Sequence, residues 1–383
     1  MYNRLDFIKA ACCAAAATKV NLGFSAPLPS LPDWAERIIR EGAERYLAWK
    51  GSDETIAFPL ITDIHSHVAS ANPPNWGDSK AHIFFQRAIA EATGSDFLAC
   101  LGDLDFDVNI LGAAPDWSKV QAVIDGFVGA YRDESRPVLF TMGNHDHAKE
   151  RYTSRQFGDT FCRGLNIGKG LSFGGDGTWG TLDIPGKKFR AIYLNTSDEG
   201  YLGFSVAQLQ YLADRLADAP DGWNVAIFQH ANVPHFISKW RRFGDSNGSL
   251  KREELEQTMV EDFANRRDPV ICGFNKPPIV GELGGVKFDF SKTKANLVGV
   301  FQGHLHAESY LKYAKVNYVI RPGYGTIPVD CQCGEWRDAK RECSFDRTKD
   351  MMLDLVAIKP STHTVHVFRF GCGGPKSELE YEY

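Results

Sequence analysis

The chain has 383 residues, of which 43% are hydrophobic and 24% charged, and its formal net charge is −5 at pH 7. This composition supports a sizeable apolar core and excludes an intrinsically disordered chain, a collagen-like chain and a small disulfide scaffold. No apolar run reaches the roughly 18 residues that a membrane-spanning helix needs, so no transmembrane segment is expected. The mild negative charge lacks the broad positive field of a non-specific nucleic-acid binder, so stable nucleic-acid binding is not expected either.

Residues 1–26 have the pattern of an export signal rather than of a folded element. Arg4 and Lys9 precede the small apolar run 10–17, and small residues up to Ala26 offer a cleavage position. The segment resembles a twin-arginine signal in which Leu5 stands in place of the second arginine. We therefore expect an extracytoplasmic protein, periplasmic or secreted. The alternative interpretation, a frayed N-terminal helix, predicts a cytoplasmic one.

The rest of the chain is divided into three parts by its patterns. Residues 27–54 form a linker with an amphipathic helix, residues 55–371 form one domain, and residues 372–383 form a C-terminal tail. An insertion over about 235–295 interrupts the domain. From residue 55 onward, short β-type runs alternate with helical patterns, which is typical of an α/β sheet whose faces are covered by helices. The last third has short strands and few helices, which indicates a β-rich half added to the α/β half.

The individual predicted elements follow this division. In chain order they are a strand over 55–62, a helix near 80–93, a strand over 97–101, a helix near 117–131, a strand over 137–142, a strand over 189–194, a helix over 206–216, a strand over 225–229, and short strands near 297–302, 307–312, 316–321, 352–358 and 363–370. Cys100 lies in an apolar run and is expected in the core. His82 is expected on the surface of its helix.

Three of the nine cysteines, Cys331, Cys333 and Cys343, cluster in a loop-like stretch. After export they could form a disulfide. A zinc site made of cysteines alone is the other interpretation, but the sequence shows no fourth ligand for it. The pairing of these cysteines therefore stays open.

Acidic, amide and imidazole side chains directly follow five of the predicted strands. They are Asp63 and His65 after the first strand, Asp103 after the second, Asn144, His145 and Asp146 after the third, His230 after the strand over 225–229, and His304 and His306 after the strand near 297–302. Carboxyl ends of strands in open α/β sheets are where ligand-binding groups from distant segments converge. Oxygen and imidazole donors together suit Mn, Fe or Zn.

This ordered set of motifs resembles the calcineurin-like metallophosphoesterase family over roughly residues 55–312. The motifs are D-x-H at 63–65, G-D at 102–103, G-N-H-D at 143–146, the strand-ending His230, and G-H-x-H at 303–306. The resemblance implies a four-layer α/β/β/α sandwich of two mixed β-sheets flanked by helices. It also implies metal-dependent hydrolysis of a small phosphoester, either a monoester or a diester. Phe106 stands where many members have a second Asp or a Tyr, which argues against the tyrosine-bearing purple acid phosphatases.

The resemblance further implies a role for each site residue. Asp63, His65 and His306 would hold one metal ion. Asn144, His230 and His304 would hold a second, with Asp103 bridging the two. The pair of divalent or trivalent ions would bind a bridging hydroxide that acts as the nucleophile. His145 would donate a proton to the leaving group, with Asp146 orienting its ring.

Two alternatives compete with this interpretation. His65 and His67 also form the H-x-H pattern that opens amidohydrolase-type and histidinol-phosphatase-type metal barrels, which would predict a (β/α)₈ barrel. That fold does not account for the motifs at 143–146 and 303–306. The second alternative is a non-catalytic binding module on the same sandwich fold. Such a module has no reason to keep the complete ligand set together with His145.

The sequence is least informative about the substrate. Two segments are expected to border the metal site, one over 70–79 and one that follows His230. The second contains Trp240, Arg241 and Arg242, which could stack on a base or bind a second phosphate. A solvated basic helix face is the other interpretation. The physiological substrate, the native metals and the oligomeric state stay open.

Overall fold

The computed structural model describes residues 31, 33–64, 79–104, 117–147, 152–199, 203–231, 252–266, 280–305, 308–321, 352–371 and 373–383. The predicted export signal, the candidate ligands His65 and His306, and the three clustered cysteines lie outside these residues. Within the described part, none of the helices combines the length and the apolarity of a membrane span.

Strands are interspersed with helices up to about residue 265. In chain order the elements are α1 (Asp33–Lys50), β1 (Ile56–Ile61), α2 (Ser79–Thr93), β2 (Leu98–Cys100), α3 (Trp117–Tyr131), β3 (Val138–Phe140), α4 (Ser154–Phe157), β4 (Leu171–Gly174), β5 (Trp179–Ile184), β6 (Phe189–Tyr193), α5 (Val206–Ala217), β7 (Asn224–Phe228), α6 (Arg252–Asn265), β8 (Val280–Leu283), β9 (Val286–Asp289), β10 (Asn296–Gln302), β11 (Ser309–Tyr313), β12 (Val316–Ile320), β13 (Met352–Lys359), β14 (Thr364–Gly371) and β15 (Leu379–Glu382). Short helical turns cover Gly158–Arg163, Gly164–Asn166, Pro185–Lys187 and Gly374–Ser377.

The strands form two large mixed sheets. The first has six strands in the order β15-β14-β13-β1-β2-β3, and the second has seven in the order β11-β12-β10-β7-β6-β5-β4. Strands β1, β2 and β3 are parallel, and so are β6, β7, β10 and β12. The carboxyl ends of these parallel strands carry the candidate site residues, while the antiparallel strands extend the sheets outward. Strands β8 and β9 form a separate hairpin.

The two sheets pack face to face through phenylalanine side chains. Phe58 of β1 lies 5.3 Å from Phe228 of β7, and Phe228 lies 5.4 Å from Phe301 of β10, measured between ring centroids. All six residues of β1 are buried, as expected for a central strand covered on both faces. Helices α1, α2 and α3 cover the first sheet, and α5 and α6 cover the second. The four-layer α/β/β/α architecture is therefore confirmed.

Most predicted elements are present with boundaries within a few residues. The arrangement of strands in two sheets excludes the (β/α)₈ barrel. Cys100 is fully buried, as predicted. His82 is wrongly predicted as a surface residue, because α2 turns this side of the helix inward and leaves only 5% of the residue exposed.

The last third is rich in strands, as predicted, but these strands do not form a half of their own. Strands β10, β11 and β12 belong to the second sheet, whereas β13, β14 and β15 complete the first by pairing antiparallel beside β1. Local patterns show that a segment is a strand but not which sheet it joins. The segment predicted as a tail contains β15, because Leu379 and Tyr381 alternate with Glu380 and Glu382 and the Tyr381 side chain is buried.

Candidate metal centre

Five loops at the carboxyl ends of the parallel strands bring the candidate residues together. Asp63 follows β1, Asp103 follows β2, and Asn144, His145 and Asp146 follow β3 in the first sheet, while His230 follows β7 and His304 follows β10 in the second. The site therefore lies where the ends of both sheets meet. His65 and His306 fall outside the described residues, so their predicted ligand roles stay predictions.

Three of these residues have a backbone conformation that is rare for non-glycine residues. The φ angles of Asp63, Asp103 and His304 are 52°, 50° and 68°. A left-handed conformation costs an L-residue on the order of 1–2 kcal/mol, and such positions persist where surrounding contacts fix them. Strain repeated at three neighbouring strand ends marks a functional site.

Hydrogen bonds between the loops hold these conformations. The Asp63 amide donates to the carbonyl of Gly102 at 2.9 Å. The carboxylate of Asp63 in turn accepts the amide of His304, at 3.0 Å to Oδ2 and 3.2 Å to Oδ1. Because Asp63 belongs to the first sheet and His304 to the second, this carboxylate joins the two sheets at the site. Thr62 supports it by donating its hydroxyl to Oδ2 at 2.5 Å.

Asp103 and Asp146 hold the β2 and β3 loops against each other. Oδ2 of Asp146 accepts the amides of Gly143 at 2.8 Å and Asp103 at 3.0 Å. Oδ1 of Asp103 accepts the amide of His145 at 2.8 Å. Both carboxylates are buried. Gly143 is required here, because a Cβ atom at this position would overlap with the carboxylate and the amide of Asp103.

A backbone carbonyl fixes the orientation of the His230 ring. Its Nδ1 lies 2.6 Å from the carbonyl of Leu101, and since a carbonyl only accepts, Nδ1 carries a proton. Its Nε2 lies 3.1 Å from Oδ1 of Asn144 and 3.2 Å from Oδ2 of Asp103. Two side-chain oxygens thus lie beside Nε2, the ring nitrogen that could bind a cation. Histidines that bind metal ions commonly donate their other ring N–H to a carbonyl or carboxylate, which fixes the orientation of the ring. The carbonyl of Leu101 does the same for His230.

Asp103, His230 and His304 form a group that can bind a metal ion. One donor atom from each lies within 4.8 Å of the others, and this is the one such cluster of His, Cys, Asp and Glu in the described part of the chain. The His230 and His304 rings lie 5.1 Å apart at an angle of 74°. A carboxylate and two imidazoles, with the Asn144 oxygen beside them, suit Mn, Fe or Zn. These residues therefore fit one metal ion of the predicted centre.

The electrostatics around His230 favour a positive charge. Burial alone would lower the pKa of this imidazole, but the carboxylates of Asp103 and Asp63 raise it, to about 10 in the chain by itself. A cation that binds at Nε2 has to displace this proton, so binding releases a proton into solution. The same negative field that stabilises the imidazolium also attracts a metal cation.

His145 and Asp146 make different kinds of contact at the site: His145 through its backbone amide and Asp146 through its carboxylate. The His145 side chain is half-buried at the site, and its backbone amide supports Asp103. Oδ2 of Asp146 is engaged with backbone amides, which gives Asp146 a function in loop positioning that the sequence did not indicate. Sequence reasoning also missed Thr62 and Leu101, because neither a strand-ending threonine nor a backbone carbonyl carries a recognisable pattern.

Comparison with known proteins agrees with this geometry. Residues 58–308 match the family model described as calcineurin-like phosphoesterase. No curated protein matches the chain. At low identity the chain resembles several solved structures, and a likeness at this level concerns the fold alone.

Three of these structures show how low the sequence identity and the TM-score are. A conserved protein of Streptococcus pneumoniae that is predicted to be a phosphoesterase has 9% identity, with 86% of this chain and 99% of that chain covered and a TM-score of 0.31. A Staphylococcus aureus protein assigned as a 5′-nucleotidase, in complex with α-ketoglutarate, has 14% identity, with 80% and 51% covered and a TM-score of 0.40. An anchor protein of the inner membrane complex of Plasmodium has 8% identity, with 86% and 88% covered and a TM-score of 0.43.

Proposed function

We propose, from the premise that the chain belongs to the calcineurin-like phosphoesterase family, that it is a metal-dependent hydrolase of small phosphoesters. The observation that carries this proposal is the convergence of Asp103, His230 and His304 from both sheets on one point. A phosphoester is anionic and repels nucleophiles, so a site that hydrolyses it has to supply positive charge. The negative electrostatic field of these residues suits them to bind metal cations, which would supply that positive charge.

In this proposal the protein holds two ions. Asp63, His65 and His306 would bind one ion, Asn144, His230 and His304 would bind the other, and Asp103 would contact both. The ions, when bound, neutralise the charge of the phosphate and lower the pKa of a water molecule. Mn, Fe and Zn are the candidate metals.

The side chains would contribute positioning and proton transfer. The hydrogen bond from the His304 amide fixes the carboxylate of Asp63, and Asp146 fixes the loop of Asp103, so both ligands are oriented before a metal binds. His145 lies next to these ligands without being assigned to either ion. We propose that its imidazole donates a proton to the leaving alkoxide, which a poor leaving group needs most.

Turnover of p-nitrophenyl phosphate and bis-p-nitrophenyl phosphate with added Mn²⁺, before and after chelation, tests the proposal. We expect chelation to abolish turnover and Mn²⁺ to restore it. Asp103→Asn should abolish turnover and weaken Mn²⁺ retention. Asp183→Asn is the control, because Asp183 pairs with Arg190 near the amino end of β6, away from the site. Failure of the unmutated protein to turn over either ester, or to bind Mn²⁺, would favour the non-catalytic binding module.

A further inference from the structure

Four charged side chains meet between the two sheets, next to the loop that carries His304. They are Glu308, Arg321, Asp354 and Arg369, which we call the charge cluster. The side chain of Arg369 is 0% exposed, and those of Arg321 and Asp354 are 3% exposed. Glu308 is 21% exposed, so it forms the outer edge of the cluster. None of the four belongs to a motif of the family.

Each arginine contacts both acids. Asp354 and Arg369 lie opposite each other on β13 and β14, with Oδ1 of Asp354 2.7 Å from Nε of Arg369. Oδ2 of Asp354 lies 2.6 Å from Nε of Arg321. Oε1 of Glu308 lies 2.5 Å from Nη2 of Arg369 and 3.9 Å from Nη2 of Arg321. Two positive and two negative groups thus compensate one another.

The charge cluster contacts both ends of the loop over 303–308. At its beginning, the amide of Arg321 donates to the carbonyl of Gln302, the last residue of β10, at 3.0 Å. At its end, the Glu308 carboxylate contacts Arg369 of the other sheet. On the first sheet, Asp354 pairs with Leu60 of β1, shortly before Asp63. Ion pairs therefore connect Glu308, after the loop of His304, to β13 and β14, and backbone pairing connects β13 to β1, the strand that precedes Asp63.

Stability alone does not account for such a cluster. Removing charges from water costs several kcal/mol per ion, and well-packed apolar residues often stabilise a protein as well or better. Ion pairs differ from apolar contacts in being directional, so they fix the relative position of the segments that carry them. The metal centre needs this, because its ligands come from two sheets and have to meet within the length of a coordination bond.

We propose that the charge cluster is the positioning device for the segment that carries His304, and that Glu308 is a positioning residue for metal binding. The inference rests on the proposed metal-dependent function. It assigns to Glu308 no contact with the substrate. It predicts that the affinity for metal depends on a carboxylate that is not itself a ligand.

Glu308→Gln tests this directly, because it removes one negative charge and keeps the size of the side chain. Asp354→Asn is the second variant, at the buried centre of the cluster. The matched control is Glu134→Gln. Glu134 is also buried between two arginines, 3.1 Å from Arg87 and 2.8 Å from Arg136, but it lies just before the amino end of β3, away from the site. Titration with Mn²⁺ against a chromophoric chelator gives the affinity, and urea unfolding of the metal-free protein gives the stability.

We expect Glu308→Gln to weaken Mn²⁺ binding on the order of 10- to 100-fold, the usual effect of losing a group that orients a metal ligand. Glu134→Gln should leave the Mn²⁺ affinity unchanged, even if it lowers the stability of the protein as much as Glu308→Gln does. The inference is overturned if Glu308→Gln binds Mn²⁺ like the unmutated protein, or if both variants weaken binding equally. If Asp354→Asn fails to fold, the Mn²⁺ affinity of Glu308→Gln alone tests the inference. If the unmutated protein binds no Mn²⁺, the proposed function itself fails.

Discussion

Replacing Asp146 with alanine removes the acceptor of two buried backbone hydrogen bonds between the metal-site loops. Oδ2 of Asp146, a fully buried residue, accepts the amides of Gly143 at 2.8 Å and Asp103 at 3.0 Å. A buried amide left without a partner costs about 1–3 kcal/mol, so Asp146→Ala should lower the free energy of unfolding by about 2–6 kcal/mol. Asp146→Asn keeps an acceptor oxygen and loses only the contribution of the negative charge to these hydrogen bonds. It should therefore lower the free energy of unfolding by less than half as much as Asp146→Ala.

Urea unfolding of the metal-free protein, followed by circular dichroism, measures both variants. If the alanine variant unfolds at the same urea concentration as the unmutated protein, the two hydrogen bonds to Asp146 do not stabilise the fold. If the asparagine variant is destabilised as much as the alanine variant, an acceptor oxygen at this position does not preserve them. Turnover adds a second distinction. If Asp146 acts by positioning Asp103, Asp146→Asn keeps more activity than Asp146→Ala, whereas a role through the charge of the His145 ring predicts equal loss in both.

Two further predictions concern proton transfer and a buried acid. His145→Asn should keep the metal content and lower turnover, most strongly for esters with poor leaving groups; loss of metal from this variant would contradict the separation of proton donor from ligands. Burial, with the charge of Glu261, raises the pKa of Glu256 on α6 from 4.5 to about 8. The unfolded chain releases this proton at lower pH than the folded protein, so stability should fall as pH rises from 4.5 to 8, by up to ~5 kcal/mol at ~1.4 kcal/mol per pH unit. Glu256→Gln should therefore stabilise the protein at pH 8 and have little effect at pH 4.5, and equal stabilities at pH 8 would contradict the burial of the charge.

The sequence was most informative where strands end in reactive residues. The apolar run before Asp63 and the one before Asp103 each predict a buried strand, and the parallel arrangement of β1 and β2 then places both carboxylates at one edge. The same reasoning places His230 and His304 at the ends of β7 and β10. Local pattern and chemistry agree at these positions, so the main features of the site could be predicted.

Features that depend on contacts between distant segments could not be predicted. Arg369 stands in a strand pattern where an exposed arginine would be ordinary, yet it is buried, and Asp354 and Glu308 compensate its charge. The left-handed backbone of Asp63 depends on contacts with Gly102 and with the second sheet. The sequence places residues along the chain, but the pairing of β13 with β1 and the packing of the two sheets decide which of them meet.

Whether Asp103, His230 and His304 bind a metal ion can be seen in a crystal structure of the protein grown with Mn²⁺, with anomalous diffraction recorded at the manganese edge. We expect anomalous peaks at coordination distance, about 2.0–2.3 Å, from Asp103, His230 and His304. Peaks only at other positions, or fully occupied manganese that contacts none of these three side chains, would contradict this expectation.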